Sequence, residues 1–365
     1  MFYSIFMSVI SFVLLIFSIV FVHELGHFLF ARLNGVRVDV FSIGFGKELF
    51  GWNDKKGTRW KVCLIPLGGY VKMFGQADLP ESEAEAQKLK KKLTAKDKKV
   101  HYDYKNRLQR ISIVFAGPLF NFLFAFLIMF GLTYFVGKEV YESRYVKSVS
   151  ENAPAFVYLQ EGDMIKSIDG ADVSSYEDIK EIILNSEGKE LSLKLERDGK
   201  KILRRITPER EDENSPYLLG YVPDFRVIDT QDFTFTEAVV EAGNDLYELT
   251  YAMVDGIGRL LTGKESAKNV GGVISIGGIA KQSLEAGFVT FISIVALISI
   301  NLGLVNLLPL PILDGGHILI LTVESFIRRD LPVKLKLAMM NVGAILLLSL
   351  LLLSVFNDVL RIVGI

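Results

Sequence analysis

Cysteine is almost absent from this sequence, because Cys63 is the only one in 365 residues. A single cysteine excludes an intramolecular disulfide, so any exported domain must be stable through its hydrophobic core alone. An excess of basic charge is also lacking, since the formal net charge is -1. This balance gives no reason to expect a nucleic-acid partner, which would require a clustered basic surface.

Long apolar runs are what the sequence has in abundance. Hydrophobic residues make up 50 % of the chain and charged residues 23 %, and the mean hydropathy is +0.34. The chain is therefore too apolar for an ordinary soluble protein and too charged to lie wholly in a membrane. These values predict a membrane protein with a water-facing part.

Four apolar segments are long enough to cross a bilayer, which takes roughly 20 helical residues. The first lacks the basic start and the clear cleavage site of a secretory signal, so we expect a retained span. The third is interrupted by "NLLPLPILDGG", whose prolines and glycines deny the backbone a continuous helix. We favour one broken crossing there over two crossings. The predicted spans are residues 1–33, 108–136, 288–327 and 335–361.

Basic residues beside these spans predict their orientation, because such residues prefer the cytoplasmic side. One cluster follows the first span, a second precedes the second span, and a third precedes the last span. With all three in the cytoplasm, both termini and the segment from about residue 137 to 287 lie outside. The clusters contain Arg32, Arg37, Lys105, Arg107, Arg110, Arg328, Arg329, Lys334 and Lys336.

The segments between the spans differ in pattern. Residues 36–75 alternate apolar and polar residues around glycine turns, which predicts a membrane-associated β region. Residues 76–107 form a charged cytoplasmic segment, and residues 211–287 an extracytoplasmic helical region. Residues 140–210 contain short alternating runs around one amphipathic helix, and "EGDMIKSIDGADV" resembles the GD-x-I signature of PDZ domains, whose groove typically holds an added peptide strand.

The predicted fold class follows from these segments. It is a polytopic α-helical membrane protein with about four transmembrane helices, a membrane-associated β region and an inserted extracytoplasmic PDZ-like mixed α/β domain.

The motif "HELGH" in the first span points to metal chemistry. His23 and His27 lie one helical turn apart on one face, so their ring nitrogens can converge on one Zn²⁺. Glu24 lies between them, near enough to activate a water molecule. A charged group near the bilayer centre costs roughly 2.5 to 3.5 kcal/mol, and a zinc site would satisfy these polar groups. The alternative, hydrogen bonds to neighbouring helices, is disfavoured because three of the four histidines fall in membrane segments beside acidic residues.

A catalytic zinc needs a third protein ligand and an open fourth position. Asp314 lies on backbone freed by the prolines of "NLLPLPILDGGH" and is followed by glycines that permit close approach. His317 is an equally suitable ligand type, but it lies about a turn further along the next helix. We therefore favour Asp314 and expect a structural or supporting role for His317.

At this point the chain resembles the site-2 protease family of intramembrane zinc metalloproteases, and within it the bacterial branch of the regulator of sigma-E protease. The matching features are "HELGH" at residues 23–27, "AGPLFN" at 116–121, the PDZ-like insertion and "NLLPLPILDGGH" at 306–317. The resemblance implies that Zn²⁺ is bound by His23, His27 and Asp314 and that Glu24 is the general base.

The resemblance also implies substrate-binding residues. Asn306 would hold the substrate or stabilise the oxyanion, and Gly44, Phe45 and Gly46 of the β region would contact the substrate. For the two glycines a plain turn is an equally good interpretation of the sequence.

The predicted function is therefore an intramembrane zinc metalloendopeptidase acting in regulated intramembrane proteolysis. Its expected partners are the lipid bilayer, an upstream site-1 protease, and single-pass transmembrane substrates such as an anti-sigma factor or remnant signal peptides. The expected location is the bacterial inner membrane, with the PDZ-like domain on the periplasmic side. Two alternatives are a catalytically silent PDZ-bearing membrane adaptor, which has no need of Glu24, and a zinc transporter, which would need polar faces along several spans.

Overall fold

The computed structural model describes residues 2–76, 93–210, 215–264 and 271–363. The chain divides into two compact units. Unit 1 comprises Met1–Thr133 and Phe235–Ile365, and unit 2 is the insertion Tyr134–Thr234.

Unit 1 is mainly helical, and its helices are numbered along the whole chain. They are α1 (Phe2–Leu33), α2 (Ala95–Val100), α3 (Arg107–Phe135), α5 (Phe235–Leu261), α6 (Val273–Ala286), α7 (Phe288–Asn306), α8 (Asp314–Ile327) and α9 (Val333–Val363). Among the described residues, four helices are long and apolar enough to span a membrane, namely α1, α3, α7 and α9. Of these, α3 is the most buried and α9 the least.

The third apolar segment is broken in its middle. Helix α7 ends at Asn306 and α8 begins at Asp314, and the intervening residues include Pro309 and Pro311, which cannot continue a helix. Helix α8 has 14 residues, fewer than the roughly 20 that one crossing requires. The break therefore places irregular backbone within an apolar segment, where its polar groups must be satisfied by the protein itself.

Helices α1 and α3 approach each other very closely at one point. A Cβ atom on Gly26 of α1 would lie 2.3 Å from the carbonyl oxygen of Ala116 on α3. Small residues at such crossings allow two membrane helices to pack backbone against backbone. The side chain missing at Gly26 therefore sets the distance between these two helices.

A long β hairpin packs against α1. Its strands β1 (Val38–Asn53) and β2 (Arg59–Met73) pair antiparallel, with irregular register where the hairpin bends. Phe41 of β1 is 1 % exposed and lies edge-on to Phe28 of α1, with 5.7 Å between ring centroids. This apolar contact fixes the hairpin beside the first predicted span.

Unit 2 is a mixed α/β unit with its own core. It contains β3 (Lys138–Val149), β4 (Met164–Ile168), β5 (Ala171–Asp172), α4 (Tyr176–Asn185), β6 (Leu191–Arg197), β7 (Lys200–Ile206) and β8 (Tyr221–Gln231). The strands form an antiparallel sheet in the order β7-β6-β4-β3-β8, with β5 paired to β4. Alternate residues of β6 (Leu191, Leu193 and Leu195) are buried in the core, as the period of two along a strand requires.

The structure corrects one predicted boundary. The sequence predicts a helical region over residues 211–287, yet β8 lies within that range and pairs with β3 from Lys138↔Gln231 to Val149↔Tyr221. The unit built around the predicted 140–210 domain therefore extends to Thr234.

Of the charged segment predicted at 76–107, residues 77–92 lie outside the described residues, and α2 begins only at Ala95.

The close approach of α1 and α3 yields a stability prediction. We expect Gly26→Ala to lower the free energy of unfolding by about 1–3 kcal/mol, because its methyl group must displace the backbone of α3. The thermal unfolding midpoint in detergent micelles measures this change. Gly131→Ala is the matched control on α3, since no described residue lies within 4 Å of its Cβ position. Equal midpoints for the two variants would contradict the inferred backbone contact.

Candidate metal centre and active site

The two histidines of "HELGH" face one point in unit 1. His23 and His27 are each 8 % exposed, and their Nε2 atoms lie 3.2 Å apart. The Oδ2 atom of Asp314 lies 3.2 Å from Nε2 of His23 and 3.4 Å from Nε2 of His27. Two potential ligand atoms from α1 and one from Asp314, far away in sequence, thus form a nearly equilateral triangle.

This triangle fits the donor spacing of a zinc site. Ligands at about 2.05 Å from a tetrahedrally coordinated zinc are separated from one another by about 3.3 Å. The three observed separations are 3.2, 3.2 and 3.4 Å. Two imidazoles and one carboxylate are also the donor types of catalytic zinc sites, which leave a fourth position open. Within the described part of the chain, His23, His27 and Asp314 are the group able to hold a metal ion.

The broken segment explains how Asp314 reaches the histidines. It is the first residue of α8, directly after the backbone that Pro309 and Pro311 keep out of a helix. A Cβ on Gly315 would lie 2.2 Å from the carbonyl oxygen of Leu307, and one on Gly316 would lie 2.1 Å from that of Leu310. The two glycines therefore let the start of α8 fold tightly against the preceding loop.

Helix α3 contacts both histidines at their Nδ1 atoms, whereas the Nε2 atoms belong to the triangle. The Nδ1 atom of His27 lies 2.9 Å from the carbonyl oxygen of Ile113, and Nδ1 of His23 lies 3.1 Å from Nδ2 of Asn121. A Cβ on Gly117 would come within 2.3 Å of Nε2 of His27. These three residues of α3 are spaced four apart, so they form a stripe along one helix face.

Sequence reasoning assigns no role to this stripe. "AGPLFN" enters the family resemblance only as a matching motif, although the spacing of Gly117 and Asn121 by one turn is visible in it. What the sequence does not show is which face of α3 meets α1, because that depends on the packing of two separate helices.

The triangle of potential ligand atoms opens into a cavity of ≈ 510 Å³. The carboxylate residue Glu24, 7 % exposed, lines this cavity beside the histidines. The remaining walls come from α3, the hairpin, α7, the loop before α8, α8 itself and α9. They include Phe45, Gly68, Gly69, Tyr70, Val114, Asn306, Leu313, His317 and Leu347.

The cavity contains some of the predicted substrate-binding residues and not others. Asn306, the last residue of α7, and Phe45 of β1 both line it. Gly44 and Gly46 do not contribute to the described lining, and they have positive φ angles of +82° and +84°. A Cβ on Gly44 would also lie 2.6 Å from the carbonyl oxygen of Ile65. The two glycines thus shape the bend of the hairpin.

Residues of β2 also line the cavity, and the sequence alone does not single them out. They include Gly68, Gly69 and Tyr70, with the Tyr70 ring stacked 6.1 Å from that of Phe45. A Cβ on Gly69 would lie 2.9 Å from Cγ of Glu24. This glycine allows the hairpin to approach the acidic residue of the site.

His317, the alternative third ligand, lines the same cavity without joining the triangle.

Comparison with known proteins adds to this geometry. The model of "Peptidase family M50" matches residues 11–350. A Rickettsia conorii protein named "Putative zinc metalloprotease RC0203" is 33 % identical over 97 % of this chain and 98 % of its own length. A Helicobacter pylori protein named "Putative zinc metalloprotease" is 36 % identical over 96 % of this chain and 98 % of its own length.

One similarity to a solved structure falls on a smaller part of the chain. The PDZ domain of the SdrC-like protein from Listeria monocytogenes is 25 % identical and covers 24 % of this chain and 92 % of that chain, with a TM-score of 0.22.

The family match spans most of the sequence and includes the three residues of the triangle, His23, His27 and Asp314. The chain belongs to peptidase family M50, the site-2 protease family, and is a zinc metalloprotease of the membrane.

Proposed function

We propose that this protease cleaves transmembrane segments of single-pass membrane proteins, with His23, His27 and Asp314 as zinc ligands and Glu24 as general base. The observation that carries the proposal is the triangle of ligand atoms, spaced for tetrahedral zinc, in a cavity that also contains the Glu24 carboxylate. Because the two histidines lie within an apolar helix, the peptide bond must be cut at membrane depth.

Each residue has a distinct role in the proposed reaction. Bound zinc supplies a Lewis acid that polarises the reacting groups. Glu24 takes a proton from the attacking water and passes it to the nitrogen of the leaving amine. The side-chain NH2 of Asn306 donates a hydrogen bond to the scissile carbonyl oxygen as negative charge develops there. His317 stays outside the ligand set and contributes to the polar wall of the cavity.

The hairpin supplies a way to present the substrate. A helix hides its peptide bonds in backbone hydrogen bonds, so the segment to be cut must unwind first. Phe45 and residues 68–70 bring both strands to the cavity wall, where a hairpin strand can pair with an extended peptide. The Phe45 ring, 43 % exposed, then packs against a substrate side chain.

The cellular setting is inferred from charge and family resemblance. Basic residues beside the spans favour cytoplasmic ends for α1 and α9 near Arg32 and Lys334, and this supports a periplasmic position for unit 2 at a bacterial inner membrane. We infer that substrates include anti-sigma factors or remnant signal peptides, delivered after an upstream site-1 protease has removed their outer domains. The PDZ-like unit 2 would bind or filter them.

The roles of Glu24 and Asp314 can be separated by two substitutions. We expect Glu24→Gln to retain zinc and to lower cleavage of a single-pass model substrate by about 10²–10⁴-fold, the usual contribution of a general base. Asp314→Asn should lose zinc, because an amide is a weaker ligand than a carboxylate. Metal content and cleavage in liposomes are measured together. Glu187→Gln on the surface of unit 2 is the control, and full cleavage by zinc-loaded Glu24→Gln would refute the assignment.

Substrate contact by the hairpin is tested by a pair of phenylalanines on β1. We expect Phe45→Ala to lower kcat/KM about tenfold, equivalent to about 1.4 kcal/mol of apolar contact, with zinc content unchanged. Phe50→Ala is the matched control, because Phe50 is 65 % exposed and does not contribute to the described cavity lining. Equal kinetics for the two variants would remove Phe45 from the substrate site.

The orientation of the chain predicts which surfaces a membrane-impermeant reagent can reach. In a Cys63→Ala background, we introduce one cysteine at Lys200 in unit 2 or at Lys96 in α2, both exposed positions. A membrane-impermeant maleimide should label Lys200→Cys in spheroplasts, whereas Lys96→Cys should react only after lysis. The reverse labelling pattern would place unit 2 in the cytoplasm and invert the proposed topology.

A further inference from the structure

Asn121 is a fully buried polar residue inside an apolar helix. Its exposed fraction is 0 %, and its Nδ2 atom lies 3.1 Å from Nδ1 of His23. Its backbone carbonyl oxygen accepts a hydrogen bond of 2.9 Å from Oγ of Ser299 on α7. Two neighbouring helices thus contact this one residue, and a buried amide in such surroundings requires a compensating partner.

His27 shows what a supporting partner does in this site. Its Nδ1 atom faces the carbonyl oxygen of Ile113, which can only accept a hydrogen bond. The ring must therefore carry its proton on Nδ1 and donate it to Ile113. The Nε2 atom, which faces Asp314, is left with a free lone pair and is ready to bind a metal ion.

For His23, the orientation of the Asn121 amide determines which ring nitrogen carries the proton. An amide offers either its NH2 or its oxygen to a neighbour, since the two differ by a rotation of 180°. With NH2 toward His23, Nδ1 must accept and the ring proton moves to Nε2, which blocks metal binding. The other polar atom of the amide has no hydrogen-bond partner among the described residues, so the contact with His23 is the one that fixes the orientation of the amide.

We propose that Asn121 is a positioning residue whose Oδ1 accepts the Nδ1–H hydrogen bond of His23 and thereby keeps Nε2 available for zinc. The inference rests on the proposed ligand role of His23. Helix α3 then presents one stripe to the two imidazoles: an accepting carbonyl at Ile113, a gap without side chain at Gly117 and an accepting amide at Asn121. Both histidines are held in the same tautomer from the same helix.

Two substitutions of Asn121 separate its hydrogen-bond role from its volume. Asn121→Asp keeps an acceptor facing His23 and has no NH2 group, whereas Asn121→Leu keeps a similar size and removes both polar atoms. We measure zinc retention of the full chain in detergent against a chelator of known affinity. We expect Asn121→Leu to weaken zinc binding about 10–100-fold, the usual effect of losing such a support, and Asn121→Asp to stay within a few-fold of wild type.

Controls distinguish this role from general destabilisation. Ser299→Ala removes the hydrogen bond to the backbone of Asn121 and should leave zinc affinity unchanged. Thermal unfolding of the zinc-free proteins reports whether each variant is folded, and Asn121→Ala replaces Asn121→Leu if the latter does not fold. Rescue of zinc binding by Asn121→Asp is the result that a purely structural role would not produce.

Two results would overturn the inference, and a third bears on the proposed function. Wild-type zinc affinity in folded Asn121→Leu, or equal loss in Asn121→Leu and Asn121→Asp, would show that the oxygen of Asn121 does not position His23. His23→Ala tests the ligand assignment separately. If His23→Ala keeps zinc, the proposed metal centre itself is wrong, and the inference about Asn121 fails with it.

Discussion

The convergence of two imidazoles and one carboxylate within apolar helices is the constraint on which unit 1 depends. A charged group near the bilayer centre costs roughly 2.5 to 3.5 kcal/mol, and the stability of a whole domain is about 5–15 kcal/mol. Glu24 and Asp314, left charged without compensation, would therefore consume a large part of that stability. The spacing of the three potential ligand atoms, 3.2 to 3.4 Å, supports the proposal that a metal ion provides this compensation.

Helix α3 connects the packing of the unit to the chemistry of the site. The absence of a side chain at Gly26 lets α1 and α3 touch backbone to backbone, and the absence of one at Gly117 leaves room for the imidazole of His27. Without that close approach, the carbonyl of Ile113 and the amide of Asn121 could not reach the Nδ1 atoms. These glycines thus influence the proposed metal centre by setting how closely α1 and α3 approach each other. This explains why residues of the "AGPLFN" motif contribute both to helix packing and to hydrogen bonding.

The sequence predicts the parts of the site that are local. His23 and His27 converge because of helix geometry alone, and the prolines before Asp314 predict a break in an apolar run. By contrast, the supporting role of Asn121 depends on the rotation of one helix against another, which periodicity does not specify. The same holds for Gly69, which approaches Glu24 only through the fold of the hairpin. For Gly44 and Gly46 the sequence leaves turn and substrate contact equally plausible, and their φ angles correspond to the turn.

Unit 2 shows how a sequence signature can mark structure rather than a ligand site. Asp163 of the GD signature is 0 % exposed, and its two oxygens accept hydrogen bonds of 2.6 and 2.8 Å from Arg197 at the end of β6. The carboxylate beside it raises the pKa of the Arg197 guanidinium above its ordinary value. Asp163 therefore ties the loop before β4 to the neighbouring strand. Strand β8 is not predicted from the sequence, because its partner β3 lies far earlier in the chain and Pro223 interrupts its pattern. The PDZ-like signature and the alternation within a strand are local features of the sequence. The strand pairing that completes the sheet is not local.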